Sequence, residues 1–251
     1  MPITVEVVDA ATSSGILDEV FAYFTEVDKR FSTYKGDSEI SRLNAEVKLS
    51  RGSKEPVEKF YAGSHLSEEM SEIFTLAEKT KQETNGYFNI KRSDGYIDPS
   101  GIVKGWAIKN AADILAHCGS HNFFVEAGGD IQTSGKNSAG EEWSVGIRNP
   151  FKLDEIVKVI FPRGRGVATS GSYERGDHIY NPLSPEQKLH EIKSITVVGP
   201  DVLEADRFAT AAFAMGRAGV QFIESLPGLE AYSIDKNGIA TMTSGFLALT
   251  K

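Results

Sequence analysis

The spacing of apolar residues predicts four long amphipathic helices. Apolar side chains recur every three to four residues, the helical period, in residues 16–31, 66–84, 102–118 and 203–216. Ser67-Glu-Glu is expected to begin the second of these helices, and Gly119 to follow the end of the third. A shorter helix is predicted over Asp37–Leu43, with Asp37 as its N-cap.

Short apolar runs between turn residues predict strands. They are Val5–Val8, Asn122–Glu126, Ile131–Thr133, Trp143–Arg148, Glu155–Phe161, Ile195–Val198, Ala231–Ile234 and Ile239–Thr243. Asn237-Gly238 separates the last two and is typical of a hairpin turn. The hydroxyl-rich stretch Arg165–Arg175 is predicted to be a loop. This order favours an α+β fold, mainly antiparallel sheet with packed helices. No linker or repeat divides the chain, so residues 1–251 are predicted to form a single domain, with two closely packed lobes as the alternative.

The overall charge limits the classes of partner. The chain carries a formal net charge of -8, whereas a general binder of nucleic acid or of anionic membranes carries a basic excess. Its one cysteine, Cys118, excludes an internal disulfide and fits a reducing compartment. The N-terminus shows no signal or lipidation pattern, and no stretch reaches the length of a membrane span. We therefore expect a cytoplasmic protein that inserts into no membrane and binds no nucleic acid.

Asp206 and Thr210 give the most specific chemical signal. They are four residues apart in the last predicted helix, so their side chains lie one above the other on the same face. A carboxylate beside a hydroxyl offers two oxygens to a hard cation such as Mg²⁺. The alternative is structural, because threonine also hydrogen bonds to the carbonyl of its own helix.

Three further segments carry candidate binding groups. Asp98-Pro-Ser-Gly101 leads into a helix whose first-turn amides can bind an anion, with Lys104 beside them; the alternative is an ordinary N-cap and a solvent-facing lysine. The double glycine of Glu126–Asp130 allows a backbone to approach a ligand, and a hairpin turn explains it equally well. His178 follows the hydroxyl-rich stretch and is a candidate general base, the alternative being a surface histidine.

Taken in order, these segments resemble the ApbE family of FAD:protein FMN transferases. The resemblance extends from about Phe31 to Gly216. It rests on the segments Phe31–Tyr34, Asp37–Asn44, Gly86–Asn89, Asp98–Gly105, Gly128–Asp130, Ala168–Gly171, Tyr173–Arg175, His178-Ile179 and Ala205–Thr210. A Met-Gly signature and a Trp-Gly-Phe segment that many members carry are missing, and Asn181 stands where the family often has aspartate. The chain is thus similar to the short members of the family.

The resemblance implies a Mg²⁺-dependent enzyme that moves FMN from FAD onto a threonine hydroxyl of another protein and releases AMP. It implies an ApbE-like fold, with Mg²⁺ as cofactor and FAD as substrate. By position in the motifs it assigns Asp206, Thr210 and the carbonyl of Gly101 to Mg²⁺. It also places Tyr34, Asp98, Lys104 and Ile179 at FAD, and makes His178 the essential histidine.

Two other activities use the same residues. A FAD pyrophosphatase would split FAD into FMN and AMP with water as acceptor, and a flavin-binding protein would hold FAD without catalysis. For the transferase, the family's acceptor motif is of the type Ser/Thr-Gly-Ala-Ser/Thr. This chain has Thr-Ser-Gly at Thr133, Thr169 and Thr243, but each lacks the alanine and the final hydroxyl. We therefore expect the acceptor threonine to belong to another flavoprotein.

Overall fold

The computed structural model describes residues 1–9, 14–50, 66–172, 179–186 and 188–250. The helices of this part of the chain are α1 Ser14–Phe31, α2 Glu39–Ser50, α3 Glu68–Glu83, α4 Ser100–His117, α5 Val202–Ala214 and α6 Ala218–Glu224, with a 3₁₀ turn at Phe246–Leu249. The strands are β1 Ile3–Val7, β2 Phe123–Ala127, β3 Asp130–Ser134, β4 Val145–Asn149, β5 Lys152–Ile160, β6 Gly166–Gly171, β7 Ile192–Gly199, β8 Glu230–Asp235 and β9 Ala240–Met242. Within these ranges, no helix combines the length and the apolar character that crossing a membrane requires.

Seven of the strands form one antiparallel sheet in the order β1-β2-β3-β6-β7-β8-β9. The other two, β4 and β5, form a separate antiparallel hairpin. The predicted α+β architecture is therefore confirmed. So is the hairpin at Asn237-Gly238, where β8 pairs with β9 and Gly238 has a φ of 81°.

The helix ends follow the capping residues, with one correction. Ser67 caps α3 by accepting a hydrogen bond from the amide of Met70, as predicted. Gly119 follows α4 with a φ of 84°, a conformation that costs glycine little. The N-cap predicted at Asp37 is wrong, because α2 begins at Glu39 and the hydroxyl of Ser38 accepts the amide of Ser41 at 3.1 Å.

The predicted loop over Arg165–Arg175 is also wrong in its first half. Residues Gly166–Gly171 form β6, which lies between β3 and β7 in the large sheet. Ala168 packs on the helical side of this sheet, and Val167 packs on the opposite side. The strands were predicted from short apolar runs, and the sequence of β6, Gly-Val-Ala-Thr-Ser-Gly, contains small and hydroxylated residues in place of such a run.

Two helices cover one face of the sheet and meet above its centre. The helix α4 packs on β2 and β3, α5 packs on β6 and β7, and α4 and α5 contact each other. The core beneath them is apolar and includes Ile102, Ile108 and Phe208. The opposite face is covered by the β4–β5 hairpin, whose Val145, Ile147 and Ile160 are buried with residues of β6, β7 and β8. This layering leaves the N-terminal end of α4 beside the middle of α5.

Candidate functional site

A cavity opens where α4 begins, beside α5 and the ends of the central strands. Six of the residues predicted for the site line this cavity: Asp98, Gly101, Lys104, Ile179, Asp206 and Thr210. They come from the turn before α4, from α4 itself, from α5 and from the segment after residue 178. The fold therefore collects residues that are widely separated in the sequence.

The three proposed metal ligands lie close together. Asp206 and Thr210 are one turn apart on α5, and both line the cavity. The hydroxyl of Thr210 donates to the carbonyl oxygen of Gly101 across the α4–α5 contact at 3.4 Å. The hydroxyl of Thr210 therefore bonds to the neighbouring helix, whereas the structural alternative was a hydrogen bond to a carbonyl of its own helix.

Gly105 allows the helices to approach closely enough for this arrangement. A Cβ atom at this position would lie 2.7 Å from the Cβ of Asp206 and 2.8 Å from the carbonyl oxygen of Val202. The amide of Gly105 also donates to Oδ2 of Asp206 at 2.8 Å. Because Gly105 has no side chain, α4 and α5 lie close enough for the amide of Gly105 to hold the carboxylate of Asp206.

Lys104 is neither solvent-facing nor free to move. Its Nζ lies 2.7 Å from Oδ2 of Asp130, and its side chain is 17% exposed. Asp130 is fully buried at the start of β3, and its Oδ1 accepts the amide of Thr169 on β6 at 3.1 Å. The ion pair connects α4 to the two central strands. The alternative of a solvent-facing lysine is therefore wrong.

The buried charges of the site do not balance. Asp130 and Asp206 are both buried. Among the described residues that line the cavity, Lys104 is the single basic one. Burial raises the pKa of Asp206 well above its usual value, and the Asp130 carboxylate acts in the same direction against the attraction of Lys104. An ionised Asp206 is therefore unfavourable in this site until another positive charge is near it.

The first turn of α4 supplies little of that charge. The amide of Ser100 donates to Oδ1 of Asp98 at 3.1 Å, and those of Ile102 and Val103 donate to the carbonyl of Pro99, each at 3.0 Å. Sequence reasoning treated these amides as available to an anion. Because most of them already have acceptors, a bound cation is the more effective source of positive potential.

The cavity walls combine apolar rings with a glycine turn. Tyr87, Phe88 and Tyr180 line one part, and the hydroxyl of Tyr180 donates to the carbonyl of Asn89 at 3.1 Å. Burial raises the pKa of Tyr180 to about 12, so its phenol stays protonated at neutral pH. Gly128 also lines the cavity; it and Gly129 have φ values of 57° and 88° in the β2–β3 turn. Both interpretations of the double glycine, hairpin turn and lining of the site, therefore apply.

Two predicted site residues are not placed in this cavity. Tyr34 is 97% exposed and does not contribute to the lining. His178 lies outside the described residues, although its neighbour Ile179 lines the cavity.

Sequence reasoning missed Asp130 and Tyr180 as parts of the site. A signal for Asp130 existed, because an acidic residue at the start of an apolar strand needs a cationic partner when it is buried. No comparable signal distinguished Tyr180 from other tyrosines.

The oxygen atoms that converge here suit a hard divalent cation. The set consists of the Asp206 carboxylate, the Thr210 hydroxyl and the Gly101 carbonyl, and Mg²⁺ prefers such oxygen ligands together with water. The described ranges contain no group of three or more His, Cys, Asp or Glu side chains that could hold a metal. A metal bound here would therefore depend on one carboxylate and on neutral oxygens.

Comparisons with known proteins agree with this architecture. Structures of the flavin transferase ApbE from Vibrio cholerae (TM-score 0.82, 23% identity, 98% of this chain and 95% of that one) and of the ApbE protein from Thermotoga maritima (TM-score 0.81, 21%, 98% and 96%) share the fold. A FAD:protein FMN transferase of Haemophilus influenzae is 25% identical over 96% of this chain and 85% of its own length, and one of Escherichia coli K12 is 24% identical over 92% and 80%. The ApbE family model matches residues 1–94 and 90–233, so the chain belongs to the ApbE family.

Proposed function

We propose that this protein transfers FMN from FAD to a threonine hydroxyl of an acceptor flavoprotein and releases AMP, with Mg²⁺ bound at Asp206, Thr210 and Gly101. The observation that carries the proposal is the charge imbalance of the cavity. The buried carboxylates of Asp130 and Asp206 lie near a single lysine, and the hydroxyl of Thr210 and the carbonyl of Gly101 add two neutral oxygens. Curated relatives named FAD:protein FMN transferase support the same activity.

The residues that line the cavity include both charged and apolar side chains. When bound, Mg²⁺ would neutralise charge on the phosphoryl oxygens of a diphosphate. Lys104, oriented by Asp130, would contact the same phosphates, and Asp98 would bind a polar group of FAD at the start of α4. Tyr87, Phe88 and Ile179 would pack on a flat ring system and exclude water from it.

The transfer itself replaces the phosphoanhydride bond of FAD with a phosphoester bond to the acceptor. The acceptor hydroxyl oxygen forms a bond to the FMN phosphorus, the bond from that phosphorus to the bridging oxygen breaks, and AMP leaves. His178 is proposed to take the hydroxyl proton, because a hydroxyl is a poor nucleophile until a base removes its proton. The pyrophosphatase differs only in using water, so the acceptor decides between the two activities.

The products identify the activity. The protein is incubated with FAD and Mg²⁺, with and without a flavoprotein that carries the Ser/Thr-Gly-Ala-Ser/Thr motif. We expect AMP and a covalent FMN adduct on the acceptor only when the acceptor is present. Free FMN and AMP without acceptor would establish the pyrophosphatase, and bound but intact FAD would establish a binding protein. Intact-mass measurement of both proteins also tests the expectation that no flavin attaches to this chain.

Variants then test the assigned residues. Asp206→Asn should abolish Mg²⁺-dependent transfer, and Asp113→Asn on the exposed side of α4 is the matched control. His178→Ala should reduce the rate by roughly 10²–10⁴-fold with little change in FAD affinity, because the proposed role is proton removal. Full activity of Asp206→Asn would refute the metal site, and an equal loss of affinity and rate in His178→Ala would make the histidine a binding residue.

A further inference from the structure

Arg207 is buried beside the cavity but does not line it. Its side chain is 3% exposed, and it directly follows Asp206 on α5. Neither the proposed Mg²⁺ ligands nor the proposed FAD contacts include this cation. A guanidinium away from water needs partners for its N–H groups, because an unpaired buried charge is very unfavourable. The partners of Arg207 therefore indicate what it does in the fold.

The guanidinium of Arg207 connects α5 to the end of α3. Its Nη1 donates to the hydroxyl of Thr80 at 3.2 Å and to the carboxylate of Glu83. Its Nε and Nη2 donate to the two carboxylate oxygens of Glu204 at 2.9 Å and 2.7 Å. These bonds use the planar, forked donor geometry of arginine. The last turn of α3 is thus held by the helix that carries Asp206 and Thr210.

The chain reaches the cavity directly after this turn. Thr84 is the C-cap of α3 and is fully buried. Its hydroxyl donates to the carbonyl of Thr80 at 2.7 Å and accepts the amide of Phe88 at 3.1 Å. Between them, Asn85 and Gly86 have φ values of 51° and 85°, so the chain turns sharply. The position of the α3 end therefore determines the position of the Phe88 backbone.

Phe88 forms the part of the cavity wall next to the proposed metal ligands. A Cβ atom at Gly101 would lie 3.3 Å from Cε2 of Phe88 and 3.1 Å from Cγ2 of Thr210, so the ring lies close to the Gly101 backbone. The metal ligands do not depend on α3, because α4 and α5 contact each other directly at Gly105. A shift of the α3 end would therefore move the ring and leave the metal ligands in place.

We propose that Arg207 is a positioning residue for the FAD site, which fixes the end of α3 and, through Thr84, the ring of Phe88. The inference rests on the proposed function, because it takes FAD as the ligand that packs on this ring. Arg207 acts through these residues and does not contact the substrate. Loss of packing that is equal in the ground state and the transition state raises KM and leaves kcat unchanged.

Titration with FAD tests the positioning. Arg207→Met removes the N–H groups and should raise the Kd of FAD, measured in EDTA, roughly tenfold, with a similar rise in KM and an unchanged kcat. Arg30→Met is the matched control, because Arg30 pairs with Glu69 at the beginning of α3, and it should leave FAD affinity unchanged. In a Phe88→Leu background, Arg207→Met should weaken FAD binding much less, since it acts through that ring.

Hydrogen exchange tests the same positioning without a ligand. Arg207→Met should raise the exchange rate of the amides of residues 84–88, and Arg30→Met should not. Glu83→Gln removes one partner at a partly exposed position and should act in the same direction, which keeps the test decisive if Arg207→Met fails to fold. Circular dichroism checks the fold of each variant.

The results separate this inference from the proposed function. Unchanged exchange, unchanged FAD affinity, or losses that add fully in the Phe88→Leu background would each overturn the role of Arg207 while the wild type still binds FAD. An equal loss of FAD affinity in Arg30→Met would also overturn it, because the effect would then be one of general stability. A wild type that binds no FAD would refute the proposed function and this inference together.

Discussion

Replacement of Gly105 by alanine should destabilise the protein, although alanine is the better helix former. Gly105 lies inside α4, where alanine is favoured over glycine by about 1 kcal/mol. Against this gain, the new Cβ would lie 2.7 Å from the Cβ of Asp206, 2.8 Å from the carbonyl oxygen of Val202 and 3.0 Å from the Cα of Leu203. None of these atoms is the end of a flexible side chain, so α4 and α5 would have to separate.

The cost of overpacking exceeds the gain in helix propensity, so the free energy of unfolding should fall. Overpacking of this kind costs about 1–3 kcal/mol, and the hydrogen bond from the Gly105 amide to the Asp206 carboxylate would be lengthened, which adds about 1–2 kcal/mol. The net loss is therefore about 2 kcal/mol in the free energy of unfolding. For a chain of this size that loss lowers the Tm by roughly 4–8 °C. Urea denaturation and differential scanning calorimetry measure both quantities.

Gly36→Ala provides the control, since no atom lies within 4 Å of a Cβ at that position. It should leave stability unchanged or raise it slightly, by restricting the unfolded chain. If Gly105→Ala were as stable as the wild type, the close approach of α4 and α5 would be refuted. If it lost stability but bound Mg²⁺ with unchanged affinity, the position of Asp206 would not depend on Gly105.

Two other substitutions test the charges of the fold. Lys104→Met leaves Asp130 buried without its cation and should lower the free energy of unfolding by about 3–5 kcal/mol. Adding Asp130→Asn should recover most of that loss, as measured by urea denaturation. Equal stability of the single and double variants would contradict the ion pair. Hydrogen bonds from the side chain and backbone of Asn122 hold the pKa of Asp9 below its usual value. The ionised carboxylate of Asp9 therefore stabilises the fold above about pH 4, and this contribution is lost as the pH falls through the pKa of the folded state. Asp9→Asn should therefore be less stable than the wild type at neutral pH, and the difference should disappear in acid; a difference that persists at low pH would show that charge is not the cause.

The helices and the common face of Asp206 and Thr210 could be predicted because their signals are local. The apolar period located α4 and α5, and the four-residue spacing of Asp206 and Thr210 fixed their common face whatever the rest of the fold. The strand β6 could not be predicted in the same way. A Cβ at Gly166 would lie 1.9 Å from the amide nitrogen of Val202, so the strand requires glycine where α5 begins. Close packing on both faces explains its small residues, and small residues resemble a loop in sequence.

The site could be predicted only in part, because its charged residues come from different helices and strands and are brought together by the fold. The order of the motifs predicted Lys104 as a binding residue, but it did not predict the ion pair of Lys104 with Asp130 on β3. Nor did the sequence show that the first-turn amides of α4 already have acceptors. Both facts depend on the packing of α4 against the sheet. They change the interpretation, because the amides expected to bind an anion are already hydrogen bonded and two buried carboxylates lie near one lysine.

The proposed Mg²⁺ site predicts that one substitution has opposite effects on stability with and without Mg²⁺. Because burial raises the pKa of Asp206 to about 8, the metal-free protein must take up a proton at this carboxylate when it folds at neutral pH, and this lowers its stability. Asp206→Asn removes the charge and keeps an oxygen that can accept the Gly105 amide, so without Mg²⁺ it should be more stable than the wild type. Saturating Mg²⁺ should raise the Tm of the wild type, since a ligand that binds only the folded state stabilises it, and should leave that of Asp206→Asn unchanged. Calorimetry with EDTA and with Mg²⁺ measures the four values. A variant that is less stable than the wild type in EDTA would show that the carboxylate stabilises the fold without a metal, and the charge argument for the site would then be wrong.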